Sequence, residues 1–209
     1  MTTPNAPSIP DDTYEELLEA TFAALYEHGY VDLRVRDIDA EFPKSRQLIH
    51  HYFAGKDALV TEILAYLVDH FAAEVDREPS TDAAAELDEA IDRILLGPTE
   101  GDDDFWPLAT ALYEIMAQSH HNPDHQDLIN RLTDQFIDHL DAIMRTGIEQ
   151  GVFEDVDTAE LATDIDDLIT GAQAKKIFLG RDDAPERTRA TIDRLIDSRL
   201  RPTDAAADR

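Results

Sequence analysis

The sequence predicts an all-α fold of about nine helices, and three observations carry that prediction. No segment of any length alternates apolar and polar residues as a strand would, and no internal repeat is present. Apolar residues instead recur every three or four positions, as in Leu59, Ile63, Leu67 and Phe71. Between these stripes stand helix breakers: Gly29, Pro43, Gly55, Pro79, Gly97-Pro98, Asn122-Pro123 and Gly151.

Residues 1–10 hold three prolines and read as a tail. The first helix is expected from Asp12 to His28, capped by Asp11 or Asp12 and ended by Gly29. Its stripe is Tyr14, Leu17, Leu18, Phe22, Leu25 and Tyr26. A short second helix carries Val35 and Ile38 inward. Pro43-Lys44 makes a turn, because proline stops a helix and biases its predecessor toward extended geometry. Ser45 suits an N-cap for a third helix over about Arg46 to Tyr52. There Ile49 and Phe53 face inward, while Arg46, Gln47, Leu48, His50 and His51 point out.

The fourth helix spans Lys56 to about Val75, ended by Glu78-Pro79-Ser80. The fifth runs from Thr81 to Leu96 on Leu87, Ile91 and Ile94, with Gly97-Pro98 as its stop. An acidic loop, Gly101 to Asp104, precedes a sixth helix from Phe105 to Ser119 that tolerates Pro107 in its first turn. The seventh follows Asn122-Pro123 to about Glu149 on Leu128, Leu132, Phe136 and Leu140. The eighth, Thr158 to Phe178, holds Leu161, Ile165, Leu168, Ile169 and Ala172. The ninth, Pro185 to Leu200, holds Ile192, Leu195, Ile196 and Leu200, and a tail begins at Pro202.

Charge narrows the reading further. The 209 residues include 46 acids and 18 bases, a net charge of −28. Asp outnumbers Glu by 30 to 16 and only 4 bases are Lys. Helix propensity favours Glu over Asp, so the excess needs another cause. The composition resembles that of proteins from salt-loving microbes, where molar salt shortens the Debye length to about 3 Å and screens self-repulsion. No cysteine is present, which removes disulfides and thiolate metal sites. No apolar run of membrane-spanning length and no signal segment appears, so a cytoplasmic protein without membrane contact is expected.

An acidic chain repels DNA, which makes the placement of its bases informative. None occurs in residues 1–33 or between 57 and 76. Arg34, Arg36, Lys44, Arg46 and Lys56 fall within 23 residues that also hold Asp37, Asp39 and Glu41, a local net charge of +2. Arg34 opens a helix, where a cation opposes the helix dipole; a phosphate nearby would offset that conflict, and so would Asp32 or Asp37. Helix, turn and helix with outward polar residues form a helix-turn-helix, whose second helix fits a DNA major groove.

Residues 14–60 resemble the TetR family of transcriptional regulators without a gap. The matching features are Gly29-Tyr30, Val35-x-Asp37-Ile38, Ser45 before the recognition helix, and His51-Tyr52-Phe53-x-x-Lys56-x-x-Leu59. Arg34, Pro43 and His50 stand where the family usually has threonine, glycine and tyrosine. Thr146-Gly147-Ile148-Glu149-Gln150-Gly151-Val152-Phe153 with Asp157 resembles the C-terminal part of the same family. The resemblance implies a head at residues 11–57 and a ligand-binding and dimerisation bundle at 58–201, joined by the fourth helix, with tails at 1–10 and 202–209. It also implies a homodimer through the eighth and ninth helices, a double-stranded DNA operator, and a small-molecule ligand that shifts the fourth helix.

Arg46 and Gln47 suit base edges, Arg pairing with guanine and Gln with adenine, while Leu48 suits a thymine methyl. Arg34, Arg36, Lys44, Ser45, His51, Tyr52 and Lys56 suit phosphates, and His50 faces the same side; His50 and Tyr52 also read as packing residues. Phe105, Trp106, Tyr113, Met116, Phe136 and Met144 are the candidate ligand contacts, though such a stripe also reads as plain core. No cofactor and no metal is expected. His120, His121 and His125 straddle the Asn122-Pro123 break, which defeats helical metal spacing and leaves solvated loop histidines, with His139 apart. Two rival functions are a regulator of this type controlled by salt or a protein partner, and an all-α metal enzyme. The enzyme would need Glu-x-x-His pairs, which are missing.

Overall fold

The computed structural model describes residues 9–75, 81–97 and 105–201. Glu78-Pro79-Ser80, Pro98, the Gly101–Asp104 loop, residues 1–8 of the first tail and the tail from Pro202 lie outside them. Among the described residues there are nine α-helices and no strand: α1 Asp11–Asp32, α2 Val35–Glu41, α3 Arg46–Tyr52, α4 Lys56–Val75, α5 Ala83–Leu95, α6 Phe105–Gln118, α7 Pro123–Glu149, α8 Thr158–Leu179 and α9 Ala184–Arg199. A single 3-10 turn, Ser119–His121, precedes α7. No described helix is long and apolar enough to cross a membrane.

Contacts gather the chain into two compact units, one within Met1–His70 and Asp103–Arg131, the other within Phe71–Asp102 and Leu132–Arg209. Packing therefore groups α6 and the start of α7 with the N-terminal helices. In this first unit Leu17, Ala24, Leu25, Leu33, Ile38, Ile49, Leu59, Val60, Ile63, Leu64, Val68 and Ile115 are buried. The inner face of α4 is accordingly broader than a four-residue stripe: Val60, Leu64 and Val68 are fully buried, whereas Leu67 is half-buried.

Gly29 breaks the first helical run, as expected, and a short second stretch follows it within α1. The glycine adopts φ 66° and ψ 177°, and helical structure resumes to Asp32. That positive φ suits glycine and frees backbone N–H groups at the kink. Glu114 of α6 takes them up: its Oε2 accepts from the N–H of Tyr30 at 2.7 Å and of Val31 at 3.1 Å. A Cβ on residue 29 would stand 2.8 Å from the same oxygen. The Tyr30 carbonyl accepts from Lys56 Nζ at 3.0 Å, and that ammonium lies 4.3 Å from the Tyr30 ring centroid. The Tyr30 hydroxyl donates to Asp57 Oδ1 at 3.1 Å, and burial, then the Asp57 charge, pushes the phenol up to about 12. His125 completes the knot. Its Nε2 donates to the Asp57 carbonyl at 3.1 Å and its ring meets Tyr30 edge-on. His125 is 1% exposed, so it is not a solvated loop histidine: Pro123 starts α7, and His125 in the first turn faces the core.

The helix starts follow simple chemistry. No side chain caps α1, whose N-cap is Pro10. Asp82 and Asp157 cap α5 and α8, accepting from the N–H of Ala85 and Glu160.

The second unit has one core: Leu87, Ile91, Leu95, Phe136, Leu140, Ile143, Met144, Phe153, Leu161, Ile165, Ile169, Ile192, Ile196 and Leu200 belong to it. Leu95, eight residues after Leu87, takes the innermost place on α5, and Ile94 packs beside it only half-buried. Leu168 and Leu195 are likewise half-buried. Arg189 of α9 is held by Asp88 at 2.9 Å, and also by Asp92 and Asp193. Arg199 reaches Asp164 at 2.9 Å and Glu160 at 3.4 Å. Gly147 lies in α7 against the Phe153 ring, where a Cβ would collide with Cδ2 and Cε2.

Two outcomes follow. Gly→Ala within a helix normally stabilises by about 1 kcal/mol, but Gly147→Ala is expected to destabilise by about 1–3 kcal/mol through overpacking. Denaturant unfolding in concentrated KCl reads this out. Combined with Phe153→Ala the two losses should fall well short of additive, and strict additivity would refute the collision. Separately, Glu114→Ala strands two N–H groups and is expected to cost about 2–3 kcal/mol, with Glu114→Gln milder. Amide exchange at Tyr30 and Val31 is the direct measurement, and unchanged protection in Glu114→Ala would rule the anchor out.

Candidate nucleic-acid interface

The turn between α2 and α3 contains Phe42, Pro43, Lys44 and Ser45. Phe42 is buried and anchors it. The Ser45 hydroxyl accepts from the Gln47 N–H at 3.3 Å, capping α3. Ile49, 1% exposed, fixes which side of α3 faces the core. That leaves Gln47, His50 and His51 exposed, with Leu48, Tyr52 and Phe53 half-buried. Arg46 is the first residue of α3. The His51 and Tyr52 rings pack edge-on with centroids 4.9 Å apart. The seven residues of α3 thus include no carboxylate, and those exposed beside Ile49 are polar.

Its cations differ in how free they are. Arg34, the residue before α2, is exposed and makes no side-chain ion pair among the described residues. Asp37 answers its backbone instead, accepting from the Arg34 N–H at 2.9 Å. The same carboxylate takes Arg36 Nε at 3.4 Å. Lys44 turns toward α1: its Nζ lies 2.9 Å from Glu16 and 3.4 Å from Asp12, and donates to Thr13 Oγ1 at 2.8 Å. Lys56 is partly committed to Tyr30, with two N–H donors left.

The six candidate ligand contacts are divided. Phe105, Trp106, Tyr113 and Met116 lie on α6 in the first unit, with the Phe105 and Trp106 rings edge-on at 5.0 Å. Phe136 and Met144 belong to the core of the second unit. Among the described residues no group of three His, Cys, Asp or Glu is placed to hold a metal ion. His139 packs edge-on to Phe71, and His120 against His121.

Glu114 and His125, which position the head from α6 and α7, carry no local signal in the sequence. Glu114 sits 84 positions from the N–H it binds. The Gly29-Tyr30 pair was the available hint, since a glycine inside a helical stretch implies groups needing a partner.

Comparison with known proteins agrees with this architecture. Residues 17–63 match the model for bacterial regulatory proteins of the tetR family, and residues 83–201 match the C-terminal model of BetI-type transcriptional repressors. A TetR transcription regulator from Haloarcula marismortui is 31% identical, with a TM-score of 0.80 over 92% of this chain and 100% of that one. A transcriptional regulator from Saccharomonospora viridis, solved in complex with choline, is 25% identical, with a TM-score of 0.73 over 93% of this chain and 100% of that one. The HTH-type transcriptional regulator YfiR of Bacillus subtilis is 21% identical over 147 residues, 70% of each chain. With both halves matched, and a fold shared over nearly its whole length, the chain is a member of the TetR family of transcriptional regulators, of the BetI-type repressor class.

Proposed function

We propose that α3 reads a two-fold DNA operator as half of a homodimer, with Gln47 and Arg46 on base edges and Leu48 on a thymine methyl. The observation that carries this is the exposed, carboxylate-free face of α3 in a chain of net charge −28. Arg34, Arg36, Ser45, His51, Tyr52 and Lys56 take phosphates in this reading, and His50 faces the same groove. Lys44 is an auxiliary contact, since a phosphate must compete with Glu16 and Asp12 for it. The head is residues 11–57, and residues 58–201 serve ligand binding and dimerisation. Dimerisation through α8 and α9 is supported by Phe178 and Leu179, which are 51% and 68% exposed near the end of α8.

Response to a small molecule is the second part of the proposal. Choline in the Saccharomonospora viridis regulator makes a compact organic ligand the first to try here. Phe105, Trp106, Tyr113, Met116, Phe136 and Met144 remain the contacts to vary. Ligand binding would bias α4 and so the spacing of the two recognition helices. We also infer that the acid excess is fitted to molar salt in a cytoplasm.

Binding-site selection in concentrated KCl tests the first part. Gln47→Ala is expected to relax preference at one or two operator positions, costing about 1–3 kcal/mol there. Lys56→Ala is expected to weaken all sequences alike and lower the salt slope by about one, with Tm followed in parallel because Lys56 also holds Tyr30. Indistinguishable effects of the two variants would contradict the assigned roles. For the salt inference, Tm is expected to climb steadily as KCl rises from ~0.1 M to ~2 M; a flat profile would remove it.

A further inference from the structure

One side chain ties the turn between α2 and α3 to the start of α1. Lys44 Nζ stands 2.9 Å from Glu16 Oε2 and 3.4 Å from Asp12 Oδ2, and donates to Thr13 Oγ1 at 2.8 Å. These partners equal in number the three N–H donors of an ammonium. Thr13 Oγ1 in turn donates to Asp12 Oδ1 at 3.3 Å, which closes the cluster. Glu16 Oε2 is shut off from solvent and Thr13 is buried, while Asp12 is exposed. The Glu16 hydrogen bond, the largest influence on Lys44, helps raise its ammonium above the usual lysine range against the opposing effect of desolvation. Lys44 in turn lowers the Asp12 carboxyl, first by its hydrogen bond and then by its charge. Arg36 is held far more loosely, 63% exposed with a single carboxylate at 3.4 Å.

The position of this cluster gives it a consequence. Lys44 stands one residue before the Ser45 cap of α3. Buried Phe42 fixes the backbone of the turn, and Pro43 and Ser45 on either side of Lys44 are exposed. Rotation of the flexible four-carbon stem can therefore carry the ammonium away from α1 without moving α3. Carboxylate oxygens around an ammonium also offer what a phosphate offers, charge-assisted acceptors at hydrogen-bond distance.

We propose that the start of α1 is an internal competitor of DNA: Glu16 and Asp12 hold Lys44 in the free protein, and a phosphate gains that lysine only by displacing them. This competition rests on α3 reading DNA. It holds down affinity for every DNA sequence, because the transfer leaves the shielded Glu16 Oε2 facing no cation. It also holds down salt dependence. The cation that a new phosphate contact releases from DNA is offset by cations drawn to the two freed carboxylates.

The test measures binding of a mixed-sequence DNA duplex to the full chain across a KCl series, with Lys56→Ala as the reference for a phosphate contact. Asp12→Asn/Glu16→Gln is expected to tighten binding at least ~10-fold and to steepen the salt slope by about one. Adding Lys44→Met should cancel both gains, whereas Lys44→Met alone should change binding by less than ~2-fold. Asp11→Asn/Glu15→Gln removes two charges from the same helix start outside the Lys44 cluster; its gain should be smaller and indifferent to Lys44→Met. Equal gains from the two acid pairs, a gain that survives Lys44→Met, or a Lys44→Met loss as large alone as in the Asp12→Asn/Glu16→Gln background would each overturn the proposal. Melting curves in the same KCl series check that each variant is folded. Asp12→Asn alone, at an exposed side chain, repeats the test with a smaller expected gain should the double variant unfold. Amine acylation of Lys44 in the DNA-free protein, read by mass spectrometry, separates the competition from the reading of α3. It should speed up several-fold in Asp12→Asn/Glu16→Gln. Faster acylation with no duplex binding by any variant would sink the reading of α3, and the competition with it. Duplex binding that Lys56→Ala weakens but Asp12→Asn/Glu16→Gln leaves unchanged would sink the competition alone.

Discussion

A chain with 46 acidic and 18 basic side chains has to decide where each cation goes. In the second unit the arginines are shared. Arg189 serves three aspartates, Arg199 serves Asp164 and Glu160, and Arg201 serves Asp88 and Asp197. These pairs join α9 to α5 and α8. Pairs at partly exposed positions are each worth little in ordinary buffer, and their value lies in relieving repulsion among neighbouring acids. The first unit spends its cations differently. Lys44 is neutralised locally and Lys56 is half committed, but Arg34, at a helix start where a cation opposes the dipole, has no side-chain ion pair among the described residues. An anionic partner at Arg34, as proposed above, would offset that local cost.

The Tyr30 knot gives that arrangement rigidity. It gathers the end of α1, the start of α4, α6 and the first turn of α7 around one residue, using both its backbone groups and its hydroxyl. The Glu114 bonds satisfy N–H groups that the Gly29 kink would otherwise leave open, and the Lys56 bond takes the Tyr30 carbonyl in the last turn of α1. The end of α1 and the first turn of α4 are thereby set relative to α6. Residues of the head are thus held by a carboxylate and an imidazole far along the chain.

How much of this was legible in the sequence depended on whether the cause was local. The bounds of α3 follow from Pro43 and the Ser45 cap, and the outward set Gln47, His50 and His51 follows from Ile49 alone. Helix ends at Gly97 and Asn122-Pro123 are likewise written in single residues whose backbone preferences are strong. Non-local causes were not legible. The continuation of α1 past Gly29 depends on Glu114. His125 read as a loop residue until Pro123 proved to be the first residue of a helix. The choice of Leu95 over Ile94 needed the position of α8, which spacing alone does not supply. The collision that makes Gly147 obligatory was present only as the co-occurrence of Gly147 and Phe153 in one motif.

Screening also bears on how α3 would read a DNA operator. Phosphate contacts gain most of their strength from released counterions, and that gain shrinks as salt rises. At molar ionic strength charges farther apart than about 3 Å scarcely feel one another. A head with a net charge of only +2 over residues 34–56 could not then rely on long-range attraction. On the proposed contacts its selectivity would rest on groups that meet base edges directly: Arg46, the Gln47 amide and the Leu48 side chain. These are short-range groups that lose little to screening. On the same proposed contacts, the sparse basic residues register the helix on the backbone and the leading residues of α3 do the discriminating.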